Sequence, residues 1–170
     1  MPRKYVWTRR GAFLIVLAVA LCAFGDEPKN LLKPTNKPDS WRFEQHDAAK
    51  GSMAAEDEAI LFTVTETDGT DWHVQAAQTN LDLKDGKEYI VTFKAKASAD
   101  RPVQLNAMID QEDWHGIGLS EGVDLGKDWK DYKYEFKAEQ TVVNKNRIGF
   151  VLGTEKGKVW IKDFVLVEKP

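Results

Sequence analysis

Cysteine is nearly missing from this chain: the only one, Cys22, lies in an apolar run near the N-terminus. Paired half-cystines are therefore excluded as a source of stability, which has to come from buried apolar surface. Histidine is almost as scarce. His46, His73 and His115 are too scattered to form a zinc motif. No stretch of ten or more residues shows the apolar spacing of an amphipathic helix, so helical architectures drop out. There is no internal repeat, Gly-rich phosphate loop, nucleophile elbow or His-metal motif. Positive charge is in deficit, with 24 Lys and Arg against 27 Asp and Glu, a net charge of −3.

The 170 residues fit one domain. Residues 1–25 read as a signal peptide: Arg3, Lys4, Arg9 and Arg10 form a basic region, and Gly11 to Gly25 carries no charge. At roughly 15 residues the apolar run is shorter than the 18 or more that span a bilayer. Ala23 and Gly25 supply the small residues of a cleavage site ahead of Asp26. An uncleaved anchor is the alternative. Thr8-Arg9-Arg10 only faintly matches a twin-arginine signal, and Leu21 stands where a lipobox has a small residue. Removing the four basic residues takes the net charge from −3 to −7. Such a chain suits neither nucleic acid nor anionic lipid, since nothing neutralises phosphates. The expectation is an exported monomer, periplasmic or extracellular, comprising residues 26–170.

What is abundant is short alternating segments. AILFTVT at 59–65 turns Ile60, Phe62 and Val64 one way. EYIVTFKAKA at 88–97 puts Tyr89, Val91, Phe93, Ala95 and Ala97 on one face and Thr92, Lys94 and Lys96 on the other. VQLNAMID at 103–110 points Leu105, Ala107 and Ile109 inward. DYKYEFKA, RIGFVLG and VWIKDFVLVE follow, separated by turns such as Asp68-Gly69 and Asp85-Gly86. Short strands at regular spacing predict an all-β antiparallel sandwich, a jelly roll. Residues 26–40 read as an extended lead-in, 46–58 as a polar link, and QEDWHG at 111–116 as a loop that leads through Val123 and Leu125 to Trp129. Trp41, Trp129 and Trp160 are expected in the core or at its edge.

The polar faces of several strands carry unusual residues. In DWHVQAAQTNLDL at 71–83, Val74 and Ala76 face inward, which places His73 and Gln75 on the open face beside Trp72. The open face of 103–110 carries Gln104, Asn106, Met108 and Asp110, and Arg147 opens the strand that follows. Trp114 and His115 lie in an acidic loop with Glu112 and Asp113. An aromatic plate beside amides suits a ligand with an apolar face and hydroxyl edges, as sugars have. Plainer readings stand beside this one. Trp72 folds over the core, Gln75 is a solvated edge residue, and Arg147 merely pairs with a carboxylate.

In order, Asn30-Leu31-Leu32, DWHVQ with Gln78, LDLKDGKEYIVTFKAKAS, WKDYKYEFKA, RIGFVLG and VWIKDFVLVE resemble the CenC type of carbohydrate-binding module, families 4, 9, 16 and 22, with a galactose-binding-like jelly roll. The likeness covers nearly all of residues 26–170. It departs at Lys162-Asp163, where the family tends to show Asp-Asp. The resemblance implies a concave sheet that grips a polysaccharide or oligosaccharide, with Trp72, His73, Gln75, Asn106, Asp110, Trp114, His115 and Arg147 as ligand-binding residues. It also implies a structural calcium near the N-terminus and last strand, with Asp163 as the matching ligand; the alternative is that Asp163 pairs with Lys162 or another lysine. A non-catalytic module for a β-glycan of the xylan or β-glucan type is the leading reading. The alternatives are a hydrolytic domain using rim carboxylates Asp110, Glu112 and Asp113, and a module that binds proteins at the surface.

Overall fold

The computed structural model describes residues 28–170; the expected signal peptide, residues 1–25, lies outside them. Among the described residues, no helix is long and apolar enough to cross a membrane. Ten antiparallel strands form two five-stranded sheets. β1 (Arg42–Gln45), β4 (Val74–Leu81), β9 (Asn146–Val151), β6 (Arg101–Ile109) and β7 (Gly116–Leu125) make the first, in that order. β2 (Lys50–Glu56), β3 (Ala59–Glu66), β10 (Gly157–Glu168), β5 (Glu88–Ala97) and β8 (Lys130–Lys137) make the second. The architecture is an antiparallel β-sandwich, as the alternation predicts.

Alternation explains why the sheets face each other. On β3, β5 and β6 every inward residue expected from period two is buried, from Ile60 and Phe62 through Phe93 to Leu105 and Ile109. An aromatic layer fills the space between the sheets. Trp41 stacks on Phe164 at 5.4 Å and meets Phe62 edge-on, while Phe93 meets Phe150 edge-on at 5.1 Å. Each such ring contributes about 1.5–3 kcal/mol of burial. Gly149 sits where β9 crosses β4, with Ala77 opposite. A Cβ there would fall within 2.1 Å of the Ala76 carbonyl oxygen, so only glycine lets these central strands pair.

Five expectations are corrected. The polar link contains β2 and the acidic loop leads into β7, two strands that Gly, Ala and Ser obscured. Trp72 and His73 belong to a short 3-10 turn, Asp71–His73, ahead of the strand. A second 3-10 turn, Pro38–Ser40, ends the lead-in. Trp129 is 37% exposed and outside the core. The lead-in is nonetheless fixed: Gln78, buried, accepts from the Lys33 amide and donates to its carbonyl, and the Leu31 amide donates to the Leu166 carbonyl on β10.

Candidate functional site

The outward face of the first sheet is a groove of ≈ 550 Å³. Its floor comes from outward positions on the central strands: Gln75 on β4, Arg147 and Val151 on β9, Asn106 and Met108 on β6. Glu44 on β1 and His46 just after it close one side. Trp72 and Trp114 stand at opposite ends, 48% and 47% exposed. Trp72 adjoins the Val151 end of β9 and Trp114 the Arg147 end. Four residues separate those ends, a span of roughly 13 Å.

Both plates are braced. Trp72 meets His73 edge-on at 4.2 Å and lies 5.3 Å from His46. His73 is buried, its Nδ1 2.7 Å from Asp68 and its Nε2 3.6 Å from Asp47. The imidazole contact holds the Asp68 carboxyl below its usual range. Trp114 lies on the β6–β7 loop, where Asp113 and Trp114 both adopt left-handed backbone, φ 88° and 48°. Such positions cost a non-glycine residue on the order of 1 kcal/mol or more, and occur where a side chain must be aimed. The Arg147 guanidinium lies 5.1 Å from the Trp114 ring centre. His115 braces the loop from behind, bonding Asp113 at 2.8 Å and the Gln140 carbonyl at 2.9 Å. Those two acceptors, the carbonyl above all, raise its pKa.

The expected site residues therefore divide. Trp72, Gln75, Asn106, Trp114 and Arg147 converge on the groove, with Met108 on its floor. His73 and His115 do not line it. The turn at 71–73 breaks the alternation that placed His73 outward, and both imidazoles are spent on supporting bonds. Asp110 is held by Arg42, which donates from Nη1 to Oδ2 at 2.8 Å. Glu44, His46 and Arg42 escaped the sequence reading, although Arg42 and Glu44 alternate with Trp41 and Phe43 in SWRFEQ.

Beside the groove, charges cancel. Arg42 reaches Glu44 at 2.8 Å as well as Asp110. Arg147 reaches Glu44 at 3.3 Å and the Gln75 carbonyl oxygen at 3.4 Å. The hydrogen bond to Asp110 raises the Arg42 pKa, whereas burial lowers that of Arg147. Two guanidiniums against two carboxylates leave a neutral surface rich in donors and acceptors. Asp110 and Glu44 have their oxygens on arginine and Asp113 is bonded to His115, which leaves Glu112, exposed, as the rim carboxylate without such a partner among the described residues.

The side chains around Asp163 do not favour the expected calcium. The residue sits at a bulge in β10 with φ 53°, exposed, and its carboxylate faces Lys94 at 3.4 Å. The nearby N-terminal oxygens are already used: Asn30 Oδ1 accepts the Leu32 and Leu166 amides, and Thr35 Oγ1 accepts that of Phe164. An ammonium neighbour and occupied oxygens do not suit calcium. Among the described residues, Asp47, Asp68 and His73 do bring ligand atoms within 4.8 Å of one another. There the imidazole bridges the carboxylates, one on each ring nitrogen.

The family model described as Carbohydrate binding domain, CBM_4_9, matches residues 34–156. The chain belongs to this family of carbohydrate-binding domains. No curated protein matches the chain. A solved structure described as "CBM4 structure and function" aligns at TM-score 0.71 and 24% identity, covering 85% of this chain and 96% of that one. The N-terminal cellulose-binding domain of Cellulomonas fimi β-1,4-glucanase C aligns at TM-score 0.66 and 16% identity, over 85% and 98%. The Clostridium thermocellum xylanase 10B CBM22-1–GH10 structure, complexed with xylohexaose, aligns at 0.57 and 16%, over 85% and 29%. At these identities the likeness concerns the fold. Domains of this family bind carbohydrate and are typically non-catalytic.

Proposed function

We propose that this carbohydrate-binding domain is exported and holds a neutral β-glycan chain, of the xylan or β-glucan type, in the groove of the first sheet. The observation that carries the reading is the pair of exposed indoles at the two ends of a charge-balanced, amide-bearing floor. Stacked sugar faces would lie against Trp72 and Trp114, while Gln75, Asn106 and Arg147 bond hydroxyls between them. Affinity of such a surface is on the order of millimolar to micromolar, about −4 to −8 kcal/mol.

The test is affinity electrophoresis and calorimetry against xylan, mixed-linkage β-glucan, laminarin and mannan. Retardation by at least one β-glycan, competed by its free oligosaccharide, is the expected result. Indifference to every glycan, with capture of a protein that oligosaccharides do not displace, replaces this reading with that of a protein-binding surface.

A further inference from the structure

The outer face of the second sheet carries a basic aromatic strip that the groove does not use. Along β10, Lys158, Trp160 and Lys162 turn outward while Val159 and Ile161 enter the core. On β5, Lys96 lies opposite Trp160 and Lys94 opposite Lys162. Trp129, just ahead of β8, adds a second indole. Lys96 Nζ sits between the two rings, 5.1 Å from the centre of Trp129 and 5.0 Å from that of Trp160. Lys162 Nζ stands 4.8 Å from Trp129, and Lys158 Nζ 6.0 Å from Trp160.

Unpaired lysines are common on this domain, and what distinguishes the strip is that three of them gather against indole rings. Lys84, Lys87, Lys94, Lys133, Lys156 and Lys169 each have a carboxylate within reach. Among the described residues, Lys96, Lys158 and Lys162 form no ion pair; their ammoniums stand against indole rings instead. Acids are present next door, but Asp131 and Asp163 both face Lys94. A chain with an excess of acidic residues thus gathers three uncompensated cations over two tryptophans. Cation–π contact holds each ammonium in place without neutralising it.

The geometry points to a second binding site here, for a carboxylated polysaccharide, with uronate carboxylates on Lys96, Lys158 and Lys162 and sugar faces against Trp129 and Trp160. Shape favours an extended chain. Outward residues recur roughly every 6.6 Å along a strand, so Lys158 to Lys162 draws a line of about 13 Å rather than a pocket. A membrane plane would meet the whole sheet face, including Asp131, Asp163 and Glu135, whereas an extended chain touches only the strip. The site is independent of the groove: it lies on the other sheet and selects the opposite ligand character, charged where the groove is neutral.

The test is affinity electrophoresis of the full chain through gels containing polygalacturonate, each run beside a gel without polysaccharide. Retardation is expected, falling steeply as salt rises. Lys96→Gln/Lys162→Gln should weaken it at least tenfold, and Trp129→Ala, which removes the exposed indole that Lys96 and Lys162 stand against, should weaken it as well. Trp72→Ala should leave it unchanged. Four results overturn the proposal. These are no retardation by polygalacturonate, equal retardation of the lysine variant, loss in Trp72→Ala, or displacement by polyglutamate as readily as by galacturonate oligomers. The last would assign the strip to an acidic protein.

Discussion

Truncating Trp72 to alanine should remove one end plate of the groove and spare the sandwich. The residue exposes 48% of its surface, about 120 Å² of a side chain worth up to ~250 Å². A sugar stacked on one face covers about half of that, ~60 Å². At ~25 cal/mol per Å² the lost contact is ~1.5 kcal/mol, a drop in affinity of about tenfold. The cost to the fold is small, since the indole is half exposed and its ring partners are the imidazoles of His46 and His73. Calorimetric titration with the oligosaccharide of the best-bound glycan reads the affinity, and a thermal melt verifies folding. Trp114→Ala should lose a similar factor. A folded Trp72→Ala protein that binds within about twofold of wild type would refute the assignment of Trp72 as a stacking plate.

Three further outcomes are expected. Arg147→Leu strips a buried guanidinium from Glu44 and Gln75 and should cost about 3 kcal/mol in urea denaturation; a loss under ~1 kcal/mol contradicts the role given to this network. Glu135, held by Lys169 and then Lys133, has its pKa lowered from 4.5 to about 2. A depressed carboxyl stabilises the fold above the unfolded pKa, and that contribution disappears as pH falls through the folded value. Glu135→Gln should therefore be less stable than wild type at neutral pH, with the gap closing between pH 4.5 and 2; a gap independent of pH contradicts it. Calcium or a chelator should shift the melting temperature of neither wild type nor Asp163→Asn. A calcium-dependent rise that Asp163→Asn abolishes would restore the metal site.

Legibility followed the contrast between faces. β3, β5 and β6 alternate strongly apolar residues with polar ones, so both their strand character and their inward sets could be read directly. KGSMAAE and GIGLSEGVDL lack that contrast, and the strands they form became visible only through their partners β3 and β6. The same logic recovered Gln75, Asn106 and Arg147 but misplaced His73, because a 3-10 turn has no period of two. Glu44 and Arg42 form their bonds with residues more than 60 positions away, at Asp110 and Arg147, a proximity no local pattern contains. Asp163 interrupts an apolar strand because a bulge occurs there, and a bulge can look like a ligand position in sequence.

The alternation along β4 and β6 separates two tasks on the same backbone. Gln75, Asn106 and Met108 each sit between residues committed to the core, yet face only the groove. Replacing Asn106 is a surface change, on the order of 0.5 kcal/mol, whereas Gln75 and Met108 also accept bonds from the buried Arg147 guanidinium, so the rewritable part of the floor is centred on Asn106. Arg147 is the fixed part. Buried in its own ion network on the central strand, it locks the frame of the floor, so a change of glycan preference is easier through Asn106 than through it.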